Sequence, residues 1–228
     1  MSSNPDPSLF DRLDAVRTDI ADAARTAGRD AHEITTIVVT KFQPASLVRE
    51  LHALGVRDFG ENRHQEARAK AAELTDLELN WHFVGQLQSK KARQARKYAS
   101  VIHSVDRSAL VDALESELPS IDCFIQLNLT EDPSRGGVQP QDLGLLAERV
   151  LLTRGLTLLG VMAVAPLGED PKLAFSRVKE ASEQLRAIAP DATSISAGMS
   201  ADYREAILEG ATHLRIGTAI TGNRPAGG

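Results

Sequence analysis

Cysteine is almost missing from this chain of 228 residues: Cys123 stands alone. One thiol cannot close an internal disulfide or build a cysteine-based metal site. Its setting in an apolar strand pattern reads as a small core residue. Positive charge is also short, with 26 Lys and Arg against 31 Asp and Glu and a net charge of −5. That balance gives no general attraction to nucleic acid or to an anionic membrane. No apolar run approaches the length that spans a bilayer. Residues 1–7 are polar and proline-containing, without the basic and apolar regions of a secretory signal, so a soluble cytoplasmic protein is expected. His32, His52 and His64 lack metal-ligand spacing with carboxylates or with one another. A strand followed by G-x-G-x-x-G, the usual opening of a doubly wound nucleotide-binding sheet, is not found after Val39.

What is present is alternation. Leu9, Leu13, Val16 and Ile20 recur at helical spacing before Gly28, which predicts an amphipathic first helix. Short apolar runs then alternate with helical patterns. Strands are expected over 34–40, 56–60, 81–85, 101–105, 123–129, 156–164, 193–197 and 213–217. Helices are expected over 45–54, 63–74, 89–98, 108–118, 141–152, 171–188 and 200–209. Such alternation favours parallel βαβ units. Eight of them predict a single α/β domain, a closed (β/α)8 TIM-type barrel over residues 8–222, with an extra N-terminal helix. Residues 1–7 read as a disordered start and 223–228 as a flexible tail.

Lys41 closes the β-branched run 34–40. An ammonium at the end of a buried strand is either held where solvent enters or is costly to bury. Lysines so placed can offer a neutral amine to a carbonyl compound, as in Schiff-base sites, although a lysine snorkelling out of a strand end is the simpler occupant. Other polar residues fall at the expected strand ends: Glu61 and Asn62, Gln86, His103 and Ser104, Asn128, Ser196 and Arg215. In a barrel these ends surround one mouth. The turns Ser196-Ala197-Gly198-Met199-Ser200 and Arg215-Ile216-Gly217-Thr218-Ala219 follow the last two strands, the usual phosphate position of this fold. Ser200 is expected to cap the helix that follows. Facing Lys41, these turns make a phosphorylated aldehyde the attractive ligand.

Six segments carry a resemblance: Val39-Thr40-Lys41, Phe59-Gly60-Glu61-Asn62, Trp81 to Ser89, Ile102 to Arg107, Ser196 to Ser200 and Leu214 to Ile220. In this order they resemble the pyridoxal phosphate homeostasis protein family, whose barrel is similar to the N-terminal barrel of alanine racemase. The resemblance implies pyridoxal 5′-phosphate (PLP) as cofactor, held as an aldimine on Lys41. It further implies that Ser196, Gly217 and Thr218 hold the phosphate. Arg215 would lie near either the phosphate or the pyridine edge. Asn62 would line the ring pocket, with His82 and Met199 as neighbours. The chain departs from the family pattern at Arg63, Lys90, Ala197 and Thr221. No catalytic residue and no metal ligand are assigned. The implied role is PLP homeostasis or carriage without strong turnover, with apo forms of PLP-dependent enzymes as candidate recipients; a monomer is expected because no long exposed apolar helix demands a dimer.

Three other readings compete. An amino-acid racemase needs a second base opposite the lysine, and only Tyr98 and Tyr203 are available, both in helical patterns. A class I aldolase-type lyase would use the same lysine on a phosphorylated substrate without a chromophore. A nucleic-acid or protein-binding module would use Lys90, Lys91, Arg93, Arg96 and Lys97, which cluster on one expected helix. A solvated helix face explains that cluster more simply in an acidic chain. The segment 132–137 reads as a mobile loop near the mouth.

Overall fold

The computed structural model describes residues 7–223. The expected disorder of residues 1–6 and flexibility of 224–228 lie outside them. Eight strands form one closed, all-parallel barrel in chain order: β1 (Thr35–Val39), β2 (Asp58–Glu61), β3 (Asn80–Phe83), β4 (Val101–Val105), β5 (Ile121–Gln126), β6 (Leu156–Met162), β7 (Ser194–Ser196) and β8 (His213–Ile216). The seam is the pairing of β1 with β8, with Thr35 opposite His213 and Val38 opposite Ile216.

Helices cover the outside: α1 (Leu9–Thr26), α2 (Ala45–Ala53), α3 (His64–Glu73), α4 (Ala92–Ala95), α5 (Ser108–Leu114), α6 (Leu143–Leu151), α7 (Pro171–Arg186), α8 (Tyr203–Leu208) and α9 (Thr218–Thr221). α1 starts in a capping box, the Ser8 hydroxyl accepting from the Asp11 N–H while the Asp11 carboxylate accepts from the Ser8 N–H. It packs against α8 and α9 and buries Leu13, Val16 and Ile20. The main core lies between sheet and helices, around residues such as Phe59, Phe83, Phe175 and Leu51. A smaller apolar group, Val101, Phe124 and Met162, is separate from it. Outward residues of a parallel strand meet helices while inward ones meet each other, which accounts for two cores. Among the described residues no helix is long and apolar enough to cross a membrane.

Most element boundaries move by a few residues from expectation, and two moves matter. The helix expected over 89–98 is a 3-10 turn (Ser89–Lys91) and the single turn α4. Arg96 at its end points inward, donating to the carbonyls of Leu114 (3.0 Å), Gly155 (2.8 Å) and Pro119 (3.0 Å), and so leaves the basic stripe. The helix expected from Ser200 begins at Tyr203, with Asp202 as N-cap. The Asp202 carboxylate instead accepts from the Met199 N–H at 2.6 Å and shapes the turn after β7.

Candidate functional site

The ladder between β1 and β2 runs on past β1 to Thr40, whose N–H donates to the Gly60 carbonyl at 3.0 Å. Lys41 follows, exposed, at the C-terminal mouth. Solvent entry at a strand end is therefore the arrangement found. Phe42 then takes φ +64, a conformation that bulky residues rarely adopt. Its N–H donates to the Glu66 carboxylate at 3.0 Å and its ring lies 4.7 Å below the Arg63 guanidinium. Two side chains of α3 and its N-cap thus hold the turn that carries Lys41.

Behind this turn lies a buried ion pair. Lys70 of α3 donates to Glu61 Oε1 at 2.6 Å and to the Thr40 carbonyl at 2.7 Å. The Thr40 hydroxyl donates to the same carboxylate oxygen at 2.7 Å, while Glu61 Oε2 has no partner in the described residues. Burial drives the Glu61 carboxyl above its ordinary range, against the pull of Lys70 and Thr40. Glu61 therefore faces the helical layer and not the mouth.

The mouth is a cavity of about 450 Å³. It brings together Lys41, Asn62, Met199, Arg215, Gly217 and Thr218 of the expected set, and adds Gln86, Gln126 and Ser200. Two cations line it and no carboxylate does, among the described residues. Ser200 was legible as a turn residue but not as a site residue; its hydroxyl accepts from the Ala219 N–H at 3.2 Å and so ties the two last turns together. Gly85 must be glycine, because a Cβ there would overlap the Asn62 carbonyl. The 132–137 segment makes several contacts: the Asp132 carbonyl accepts from Asn128 at 2.9 Å, and a Cβ at Gly137 would overlap the Leu127–Asn128 backbone. Asn128 itself lies beyond β5 and organises this loop, accepting from the Thr130 N–H at 2.9 Å.

Two expected residues lie beneath the mouth. Ser196 is fully buried and accepts from Arg215 Nη1 at 2.6 Å, and its hydroxyl meets His103 Nδ1 at 2.9 Å. His82 is deeper still, its Nδ1 3.0 Å from His103 Nε2 and its Nε2 3.0 Å from Asp58 at the start of β2. The expectation that His82 borders the ring pocket meets a side chain in the barrel interior, two residues before the lining Val84. Arg215 Nη2 also donates to the Ala163 carbonyl at 2.8 Å. Burial pulls its guanidinium down to about 10, with Asp202 opposing.

Tyr98 and Tyr203 are both engaged in the helical layer. The Tyr98 hydroxyl meets His64 Nδ1 at 3.2 Å, and Tyr203 donates to Asp19 of α1 at 2.6 Å. Neither lines the mouth. Among the described residues no group of three or more metal-ligating side chains is present.

The buried imidazoles make stability acid-sensitive. Burial lowers His213 from 6.5 to about 4 and holds His103 well below its ordinary value, with the Arg215 guanidinium adding to both and Asp58 opposing at His213. A depressed histidine contributes stability that is fully present above the unfolded value and is lost as pH falls. Urea midpoints should therefore drop from pH 6.5 toward 4, with uptake of about two protons on unfolding. Glu61, Asp122 and Asp202, raised by burial, act oppositely and flatten the acid end. A midpoint constant across this window would contradict neutral buried imidazoles.

A parallel barrel with an amine at the end of β1, facing paired turns after β7 and β8, defines a class: the family model described as alanine racemase, N-terminal domain, matches residues 12–225. The chain belongs to this family and, within it, to the pyridoxal phosphate homeostasis proteins. It is 41% identical over 227 residues to the protein of that name from Pseudomonas aeruginosa, covering 96% of this chain and 97% of the other. The namesake from Mycobacterium bovis is 38% identical over 249 residues, covering 98% and 96%. Among solved structures, PipY of Synechococcus elongatus PCC7942 with PLP bound is 36% identical with a TM-score of 0.83, covering 94% of this chain and all of that one.

Proposed function

We propose that this protein binds PLP in the barrel mouth and serves intracellular PLP homeostasis or carriage. The observation that carries the reading is a lining with two cations, Lys41 and Arg215, hydroxyls at Ser200 and Thr218, and no carboxylate among the described residues. That donor set fits a phosphate dianion bearing an aldehyde. Lys41 is the proposed point of covalent attachment. Gly217, Thr218 and Ser200 are proposed around the phosphate, with Asn62 and Met199 beside the ring. Ser196, beneath the mouth, is proposed to hold Arg215 and not the phosphate. When bound, PLP supplies an electron-withdrawing ring that can stabilise charge at a substrate carbon.

The lining has no Asp, Glu, His, Tyr or Cys in the described residues, so beside Lys41 it holds no second side chain of the kind that serves as a general acid or base. Racemisation needs a second such group on the opposite face. Holding and releasing the cofactor needs none, which favours carriage, with apo PLP-dependent enzymes as recipients and the monomer as acting unit. The test is the visible spectrum of the protein mixed with PLP, followed by borohydride reduction and peptide mapping. A single adduct on the Lys41 peptide is expected. A protein that stays colourless at saturating PLP, yet is trapped by a sugar phosphate, would favour the lyase reading instead.

The phosphate assignment makes its own forecast. Thr218→Val should weaken PLP roughly tenfold, the scale of one hydrogen bond to a charged group. Pyridoxal, which has no phosphate, should be affected less than twofold, within the same scale. Equal losses for both ligands would place Thr218 elsewhere.

A further inference from the structure

A continuous polar chain crosses the barrel interior from mouth to closed end. It runs from Arg215 on β8 to Ser196 on β7 (2.6 Å), His103 on β4 (2.9 Å), His82 on β3 (3.0 Å) and Asp58 on β2 (3.0 Å). Ser196 and His103 are fully buried and His82 nearly so, while the Asp58 side chain keeps 27% exposure at the far end. His103 is further fixed by stacking on Phe124 at 4.6 Å. Each link joins a different strand, so the chain is a product of barrel closure.

Hydrogen-bond capacity gives the chain a direction. A guanidinium only donates and a carboxylate only accepts, so the two ends are fixed. Asp58 takes the hydrogen of His82 Nε2, which in a neutral ring leaves Nδ1 as an acceptor. Nδ1 of His82 then takes the hydrogen of His103 Nε2. His103 Nδ1 is left to accept the Ser196 hydroxyl hydrogen, and Ser196 Oγ accepts from Arg215. Every donor points from the mouth toward the closed end, with neutral rings throughout. The reverse order needs an extra proton on His82 and adds a charge to an interior that already holds Arg215, a costly arrangement. Burial keeps Asp58 from being easily ionised, but His82 and Asn80 outweigh it and hold the carboxyl below its ordinary range. Asp122 and His213 also face this interior; His213 lies edge-on to His103 and Phe124 and bonds to Thr212 at 2.8 Å.

We propose that Asp58, His82 and His103 are positioning residues: the chain anchored at the closed end fixes the Ser196 hydroxyl and the Arg215 guanidinium, so cofactor geometry in the mouth depends on a carboxylate at the opposite end. The consequence for PLP rests on the function proposed above, whereas the proton order does not. It commits the Ser196 hydrogen to His103, away from any ligand.

The order is read in the PLP-free protein by long-range ¹⁵N–¹H correlation of the imidazole nitrogens at neutral pH. Expected are hydrogens on Nε2 and bare Nδ1 in both His82 and His103. The same spectra on Asp58→Ala should show mixed tautomers, and its PLP dissociation constant should rise about fivefold to tenfold, the scale of one lost hydrogen bond. Asp58→Asn, which keeps an acceptor oxygen, should restore the wild-type tautomers and affinity to within about twofold. A hydrogen on His103 Nδ1 in the wild type overturns the proposal even if no variant folds. So does an Asp58→Ala protein with unchanged tautomers and PLP affinity. Failure of the wild type to bind PLP would instead remove the cofactor reading while leaving the proton order to be decided by the spectra.

Discussion

Lys41→Ala should abolish the visible band formed with PLP and the borohydride-stable adduct on that peptide, while leaving the fold intact. Both halves come from the same placement. The ammonium is exposed at the mouth, and among the described residues no hydrogen bond or ion pair ties it down, so truncation should change stability by no more than about 0.5 kcal/mol. The remaining cradle of Arg215, Ser200, Gly217 and Thr218 still offers donors to a phosphate. PLP should therefore bind Lys41→Ala reversibly and more weakly, without the covalent component. Denaturant midpoints beside the spectrum and mass map check both parts. A wild-type yield of adduct in Lys41→Ala, mapped to another lysine, would remove Lys41 from the centre of the site.

Lys70→Ala should produce the largest loss of stability. Its ammonium is buried and contacts both Glu61 and the Thr40 carbonyl. Truncation leaves a carboxylate inside the protein with the Thr40 hydroxyl as its remaining donor and one oxygen already unpartnered. Breaking such a pair from one side costs about 3–5 kcal/mol, and a chain of this size should lose on the order of 10 °C in Tm. Replacing both partners, as in Lys70→Met with Glu61→Leu, should recover most of this, because the isolated charge is the main penalty. Since Thr40 precedes Lys41, the single variant should also weaken PLP uptake. A Tm within about 2 °C of wild type would show that water reaches this pair.

The barrel was legible because its strands are short apolar runs at regular spacing between helical patterns. Lys41, Gly217 and Thr218 were legible because they terminate such runs. Facing was not. Strands buried on both sides carry no polar alternation, so the runs containing His82, His103 and Ser196 do not say which residues point inward or how deep. Glu61 and Asn62 illustrate the difficulty: adjacent in sequence, they turn to the helical layer and to the mouth respectively. α3 hid its role in another way. Its buried face includes His64 and Lys70 beside Ala67, so the polar side chains that steady the lysine turn look like solvated ones. Ser200 was misread because the helix starts later, at Tyr203 with Asp202 in the N-cap position, which leaves the Ser200 hydroxyl to bridge the last two turns.

The seam between β1 and β8 has a bearing on how the protein is made. The lysine proposed for attachment follows β1 and the turn proposed to hold the phosphate follows β8, strands far apart in translation order yet hydrogen-bonded neighbours once the sheet closes. A nascent chain can present the lysine early, but the grip arrives only after β8 has left the ribosome. On the proposed reading, a chain stalled before β8 would carry the lysine without the turn that faces it, and should not take up PLP as the closed barrel does.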